Sequence, residues 1–203
     1  MYLQNRPADA MAFPGFLGSA CLLLALALAL ALTLTLTGPE LAAQTVPTPG
    51  PVIEEFGAVF DVPTAGFQLD TEGNHWALFD VALTSEEAGQ RNRRLESAAR
   101  YLNMHARAGV PRERMKVALV VHGAAGKDLL ADEAYQERYG TPNPNLPMIE
   151  ALADAGVEIY LCGQTAASRN LPLDGLAEPV VVALSAMTVL VALQDQGYRL
   201  IAF

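Results

Sequence analysis

The feature that most constrains this chain is a repeated alternation. Short apolar runs give way, again and again, to segments with helical spacing. The clearest run is Lys116–Val121, KVALVV, continuous rather than alternating, which predicts a strand buried on both faces. Similar runs lie at Trp76–Leu83, Val157–Leu161, Val180–Leu184 and Tyr198–Phe203. Between them, Ser85 followed by Glu86 and Glu87 predicts a helix start, with the helix reaching about Ala108. Its inward stripe is read as Leu95, Ala98, Ala99, Leu102 and Met104–His105, and Gly109 stops it. Residues 124–140 are weakly helical, Asn145 is a candidate cap for a helix to about Ala155, and Ser185 for one to Gln196. Strand and helix in this order predict an α/β fold: a mainly parallel five-stranded sheet, helices on both faces and right-handed crossovers.

The first 43 residues do not fit that pattern. Ala20–Thr37, ACLLLALALALALTLTLT, carries no charge; Arg6 precedes it, and Gly38, Pro39 and then Leu41-Ala42-Ala43 follow. This is the layout of a secretory signal peptide with a cleavage site after Ala43. An uncleaved membrane anchor is the alternative reading, because the apolar stretch is near the minimum spanning length. Cys21 stands at the beginning of the apolar run and not at its end, so it is not placed as a lipoprotein cysteine. Residues 44–51 read as a Pro-rich tether and Val52–Phe67 as an extended arm on the domain. The domain itself is read as 52–203. Once the leader is removed, Cys162 is the only cysteine and an internal disulfide is excluded.

Composition removes several function classes. The chain has 13 Lys and Arg against 22 Asp and Glu, a formal net charge of −9, so no nucleic-acid partner is expected. There is no GxGxxG, no phosphate-binding loop and no G-x-S-x-G, and three scattered histidines lack metal-ligand spacing. No cofactor and no metal are expected.

In a parallel sheet, sites form beyond the C-terminal ends of the strands. His122-Gly123-Ala124 follows the second strand, Cys162-Gly163-Gln164 the third, and Ser185 the fourth. If strands two and three are neighbours, His122 and Cys162 lie about 5–10 Å apart. Backbone N–H groups after Gly163 would then stabilise a thiolate. The competing readings are a small buried core residue for Cys162 and a turn residue for His122. His75 and His105 read as surface or helix-face residues. Thr165, Ser168 and Arg169 read as an anion-binding or merely solvated loop. The segment Ala186–Leu193 is too apolar to face solvent, which predicts core packing or a subunit contact.

The segments VVHGAAGKDLL, NPNLPMIEALADAGVEIYLCGQTAASR and ALSAMTVLVALQDQGYRLIAF, with VIEEFGAVFDVP ahead of the first strand, resemble the DsrE/DsrF-like family of sulfur-relay and sulfur-oxidation proteins. The resemblance spans about residues 52–203. It implies a three-layer flavodoxin-like domain that assembles into homotrimers or hexamers, with Cys162 at the position where some members carry persulfide sulfur. On that footing Cys162 accepts and hands on sulfane sulfur and His122 orients or deprotonates it. Gly123 and Gly163 permit close backbone approach, and Gln164 hydrogen-bonds the bound group. The implied activity is sulfurtransferase-like, and the implied partners are a sulfur-containing small molecule or a sulfur-carrier protein. Relay members act in the cytoplasm, whereas the leader here predicts the periplasm, with membrane attachment only if it stays uncleaved. The rival expectations are a non-catalytic oligomeric binding module with a structural cysteine, and a membrane-tethered interaction protein.

Overall fold

The structure is a computed structural model that describes residues 46–63 and 65–202. The expected leader, its cleavage site and Cys21 lie outside the described residues. Five strands form one sheet: β1 His75–Val81, β2 Met115–Val121, β3 Glu158–Cys162, β4 Val180–Ala183 and β5 Arg199–Ala202. Their order is β4-β3-β2-β1-β5 and every pairing is parallel, as the alternation predicts.

Side chains of a strand alternate between faces, and each face has its own core. Ala77, Phe79 and Val81 of β1, Val117, Leu119 and Val121 of β2, and Ile159 and Leu161 of β3 point one way. Against them lie α1, Arg93–Arg107, and α3, Leu146–Asp154, through Leu95, Ala98, Leu102, Met148, Ile149 and Leu152. The short helix α2, Asp132–Tyr139, adds the fully buried Tyr135 to this side. On the other face, Leu78, Ala118, Val120 and Cys162 meet one helix, α5, Ala186–Asp195, through Ala186, Val189 and Leu193. Ser185 caps α5, accepting from the N–H of Thr188 at 3.1 Å.

The structure departs from the sequence reading at three places. First, α1 starts at Arg93 rather than near Ser85. Asn92 is the cap, its Oδ1 accepting from Arg94 N–H at 2.9 Å, while the Ser85 hydroxyl donates to the Arg91 carbonyl and closes a loop. Second, the inward stripe of α1 takes Asn103, not Met104: Asn103 is fully buried and Met104 is exposed. Third, the residues after Cys162 form a short helix, α4, Gly163–Ser168, rather than a loop.

Asn103 explains how the arm is held. Its Oδ1 accepts from the N–H groups of Ile53 and Val52 at 2.9 and 3.2 Å. Its Nδ2 donates to the carbonyls of Ile53, Phe56 and Gly57 at 2.9–3.1 Å. Gly57, at φ +68°, brings the arm backbone against Ala99 and Arg100, where a Cβ would meet the Arg100 nitrogen at 2.4 Å. Thr48 bridges to Val59, and the Arg107 guanidinium donates to the carbonyls of Thr48, Pro49 and Val59.

The loop from β1 to α1 is tied down by a buried polar cluster. Asp128 accepts from Thr84 Oγ1, Asn92 Nδ2 and Lys127 Nζ at 2.8–2.9 Å. Asn145, the expected cap of α3, instead spends its Oδ1 on the Asn92 N–H at 2.6 Å. Every charged or amide group in the cluster has a partner, as buried polar groups require.

His105 is half-buried, its ring 3.9 Å from that of Tyr101 and 5.2 Å from that of His75. Desolvation lowers its pKa; the hydrogen bond from Nδ1 to the Tyr101 carbonyl opposes this, and the charge of His75 adds to the lowering. The unfolded chain, with His near 6.5, therefore takes up the proton before the folded one. The stability this group contributes is complete above about pH 6.5 and is lost as pH falls from there through the folded value. The expected result is a melting temperature that declines as pH falls below about 6.5 and declines less in His105→Gln. An equal decline in the variant refutes the assignment.

Candidate functional site

The end of β3, the end of β4 and the starts of α4 and α5 meet at Cys162, with the end of β2 on the neighbouring strand. Strands β2 and β3 are neighbours in register, Val121 opposite Leu161, so His122 and Cys162 follow on adjacent strands as expected. Cys162 closes β3 opposite Ala183 of β4 and is also the residue from which α4 departs. Gly163 makes that departure possible: a Cβ there would sit 2.6 Å from the Ala183 carbonyl oxygen, which is backbone and cannot yield. Gly123, at φ +58°, turns the chain after His122, and a Cβ there would lie 2.9 Å from the Ala82 carbonyl.

Cys162 is 6 % exposed. Burial pushes its pKa up, because a thiolate loses water there. Hydrogen bonds from the backbone N–H of Ala186 and of Thr165, from the Thr165 hydroxyl and from the N–H of Gln164 outweigh burial and hold the pKa below the ordinary thiol value. The donors come from the first turns of two helices, α4 and α5, whose free N–H groups face the sulfur. Thr165 also accepts at its Oγ1 from the Gly123 N–H, at 3.0 Å.

The imidazole of His122 is engaged elsewhere. Its Nε2 is 2.8 Å from Asp80 Oδ1. A carboxylate only accepts, so the Nε2–H of His122 donates to Asp80. Asp80 follows Leu78, and His122 follows Val120, by two residues on the α5 side of the sheet, the side on which Cys162 lies. Among the described residues no hydrogen bond joins the imidazole to the thiol. Gln164 is exposed; its Nε2 donates weakly to the Leu184 carbonyl at 3.4 Å, and its backbone N–H serves Cys162.

Asp80 escaped the sequence reading, and Thr165 was read only as a loop residue. Asp80 is the one charged residue in WALFDVAL, near the C-terminal end of an otherwise apolar run, and that isolation was its signal. Thr165 stands three residues after Cys162, the offset at which a first-turn group reaches back to the residue before the helix. The signal became visible only with α4 recognised as a helix. Among the described residues no group of three or more His, Cys, Asp or Glu could hold a metal ion.

Comparison with known proteins places this arrangement in a family. No curated protein matches the chain. Among solved structures, a protein of unknown function from Methanobacterium thermoautotrophicum, MTH1491, superposes with a TM-score of 0.50 at 18% identity, over 64% of this chain and 100% of that one. The ychN protein from E. coli gives a TM-score of 0.46 at 14% identity, over 64% of this chain and 99% of that one. The first of these is a likeness of fold alone. The model of the DsrE/DsrF-like family matches residues 77–203, which take in all five strands and Cys162. The chain belongs to the DsrE/DsrF-like family.

Proposed function

We propose that this protein is an exported carrier of sulfane sulfur that binds and transfers one sulfur atom through Cys162. The observation that carries the reading is the set of donors on Cys162, which favours the thiolate in spite of burial. Only the thiolate attacks sulfur. Sγ attacks the outer sulfur of a persulfide or polysulfide R–S–SH; the S–S bond of the donor breaks, and R–S⁻ leaves with its electron pair. Sγ then carries the transferred sulfur as Cys–S–SH. An acceptor thiolate repeats the exchange and returns Sγ as thiolate. Each step exchanges one S–S bond for another, so no external oxidant is required. The N–H groups of Gln164 and Ala186 stabilise negative charge on the cysteine sulfur, and Gly123 and Gly163 bring the backbone close to it. His122, its Nε2 proton held by Asp80, takes up or returns the proton of the persulfide at Nδ1. Gln164 turns its side chain to the bound group.

The carrier acts as a homo-oligomer, a trimer or hexamer. Val181 and Val182 on β4, Leu184 just beyond it, and Met187 and Val191 on α5 are exposed, and these apolar side chains suit a second copy of the chain. Light scattering returns a multiple of three protomers; a monomer at micromolar concentration removes the assembly. Export to the periplasm rests on residues 1–43 alone, and N-terminal sequencing from an exporting host gives a start near Gln44 if the leader is cleaved.

The direct test of sulfur binding is intact mass after polysulfide treatment. The expected adduct is about 32 Da, one sulfur atom on a thiol, present in the wild type and absent from Cys162→Ser. A protein that takes up no sulfur under these conditions fits the second reading, a binding module with a structural cysteine, which the low exposure of Cys162 favours.

A further inference from the structure

Arg91, Arg93, Arg94 and Arg100 place four of the chain's 13 basic residues within ten positions, in a protein with 22 acids. Among the described residues none of the four forms an ion pair, whereas Arg107, Arg114 and Lys127 each find an acid. Two of the nearby acids accept hydrogen bonds instead of pairing with these arginines. Glu96 is spaced to reach Arg93 or Arg100 along α1, yet its Oε1 accepts from the Gly57 N–H at 3.2 Å. Glu87 accepts from Gln90 Nε2 at 2.8 Å. Arg91 is held 5.2 Å over the ring of Phe56, and the Nε of Arg94 is buried with no partner. A guanidinium stays charged at any physiological pH and prefers oxoanions that match its fork.

These arginines border two cavities on the α1 side. The larger, about 760 Å³, lies between the arm and α1 and is lined by Arg91, Arg93 and Arg100 with Phe60 and Pro47; Glu96 is the one acid in the lining, against three arginines. The smaller, about 420 Å³, is lined by Arg94, Thr84 and Ser85 together with Glu86 and Glu87, so its lining is not basic; Gln90 borders both. Both volumes are in the range of small-molecule sites. The N-terminus of α1 lies beside them and adds positive potential.

We propose that the cleft between the arm and α1 binds a small organic polyanion carrying at least two phosphate or carboxylate groups. Arg93 and Arg100 are seven residues apart, about 10 Å along the helix, a span that a compact monoanion does not bridge. Phe60 and Pro47 supply an apolar wall for the body of the ligand. The cleft is separate from the cysteine site, because α1 covers one face of the sheet and Cys162 looks to the other.

Calorimetric titration with tripolyphosphate and with citrate, each against sodium chloride of equal ionic strength, tests this. The expected result is saturable binding of at least one probe; tripolyphosphate alone identifies a phosphate ligand and citrate alone a carboxylate. Arg93→Gln and Arg100→Gln each weaken binding about tenfold or more, the loss of one charge-assisted contact. Arg199→Gln, which removes the same charge from β5, leaves it unchanged. Binding no better than that of the salt control, or weakened equally in all three variants, overturns the proposal.

Discussion

In Thr165→Val, alkylation of Cys162 at pH 7 slows by about tenfold. The substitution keeps the shape of the side chain and deletes one hydroxyl. That hydroxyl donates to the sulfur and accepts from the Gly123 N–H. A hydrogen bond to a charged group contributes about 1.5–3 kcal/mol, and one pKa unit corresponds to about 1.4 kcal/mol. Losing this donor therefore raises the thiol pKa and cuts the thiolate fraction at pH 7. Thr165→Ser, which keeps the hydroxyl, restores most of the rate. The Ala186 and Gln164 donors are backbone and stay in place, so the variant retains a slow reaction rather than none. Iodoacetamide kinetics between about pH 6 and 9 separate a shifted pKa from blocked access: the profile of the valine variant moves to higher pH and reaches the same plateau. An unmoved profile with a lower plateau means that Thr165 acts by packing, and the polarised-thiol account fails.

Much of this site was legible in the sequence for one reason. A parallel sheet built from continuous apolar runs has its strand ends marked by the first polar residue, so His122, Cys162 and Ser185 could be placed without coordinates. The adjacency of β2 and β3 then brought His122 and Cys162 to neighbouring strands. The electrostatics were less legible. The donor from Ala186 reaches Cys162 because β4 pairs with β3 and α5 starts beside it, a contact across 24 positions that no local pattern encodes. The start of α1 was misplaced because Ser85 with two following acids is a genuine cap pattern that the tertiary structure overrules. The Ser85 hydroxyl closes a loop, and Asn92, drawn in by Asp128 and Asn145, takes the cap. Asn103 was missed because a buried amide on an apolar stripe has no periodic signal of its own. Its purpose lies in the arm about 50 residues earlier.

The Asn103 substitution has the largest expected effect on stability. One amide holds five backbone groups of residues 52–57, and both ends of it are buried. In Asn103→Ala the arm must either leave those groups unpaired inside the protein or lift away and expose Ile53 and Val59, which are 4 % exposed in the native state. An unsatisfied buried polar group costs about 1–3 kcal/mol, and lifting limits the sum, so the expected loss is about 2–4 kcal/mol. For a domain of this size that is a fall in melting temperature of roughly 5–15 °C. Asn103→Asp loses more, because it deletes the Nδ2 donor and places a carboxylate among three carbonyl oxygens. Asn103→Leu completes the apolar stripe of α1 but cannot bind the arm, so it separates the two roles: limited proteolysis cuts within residues 52–60 while the sheet stays intact. The alkylation rate of Cys162 stays at the wild-type value in Asn103→Leu, since the arm and the thiol lie on opposite faces. A leucine variant as resistant to protease as the wild type means that Ile53, Val59 and Gly57 hold the arm without the amide.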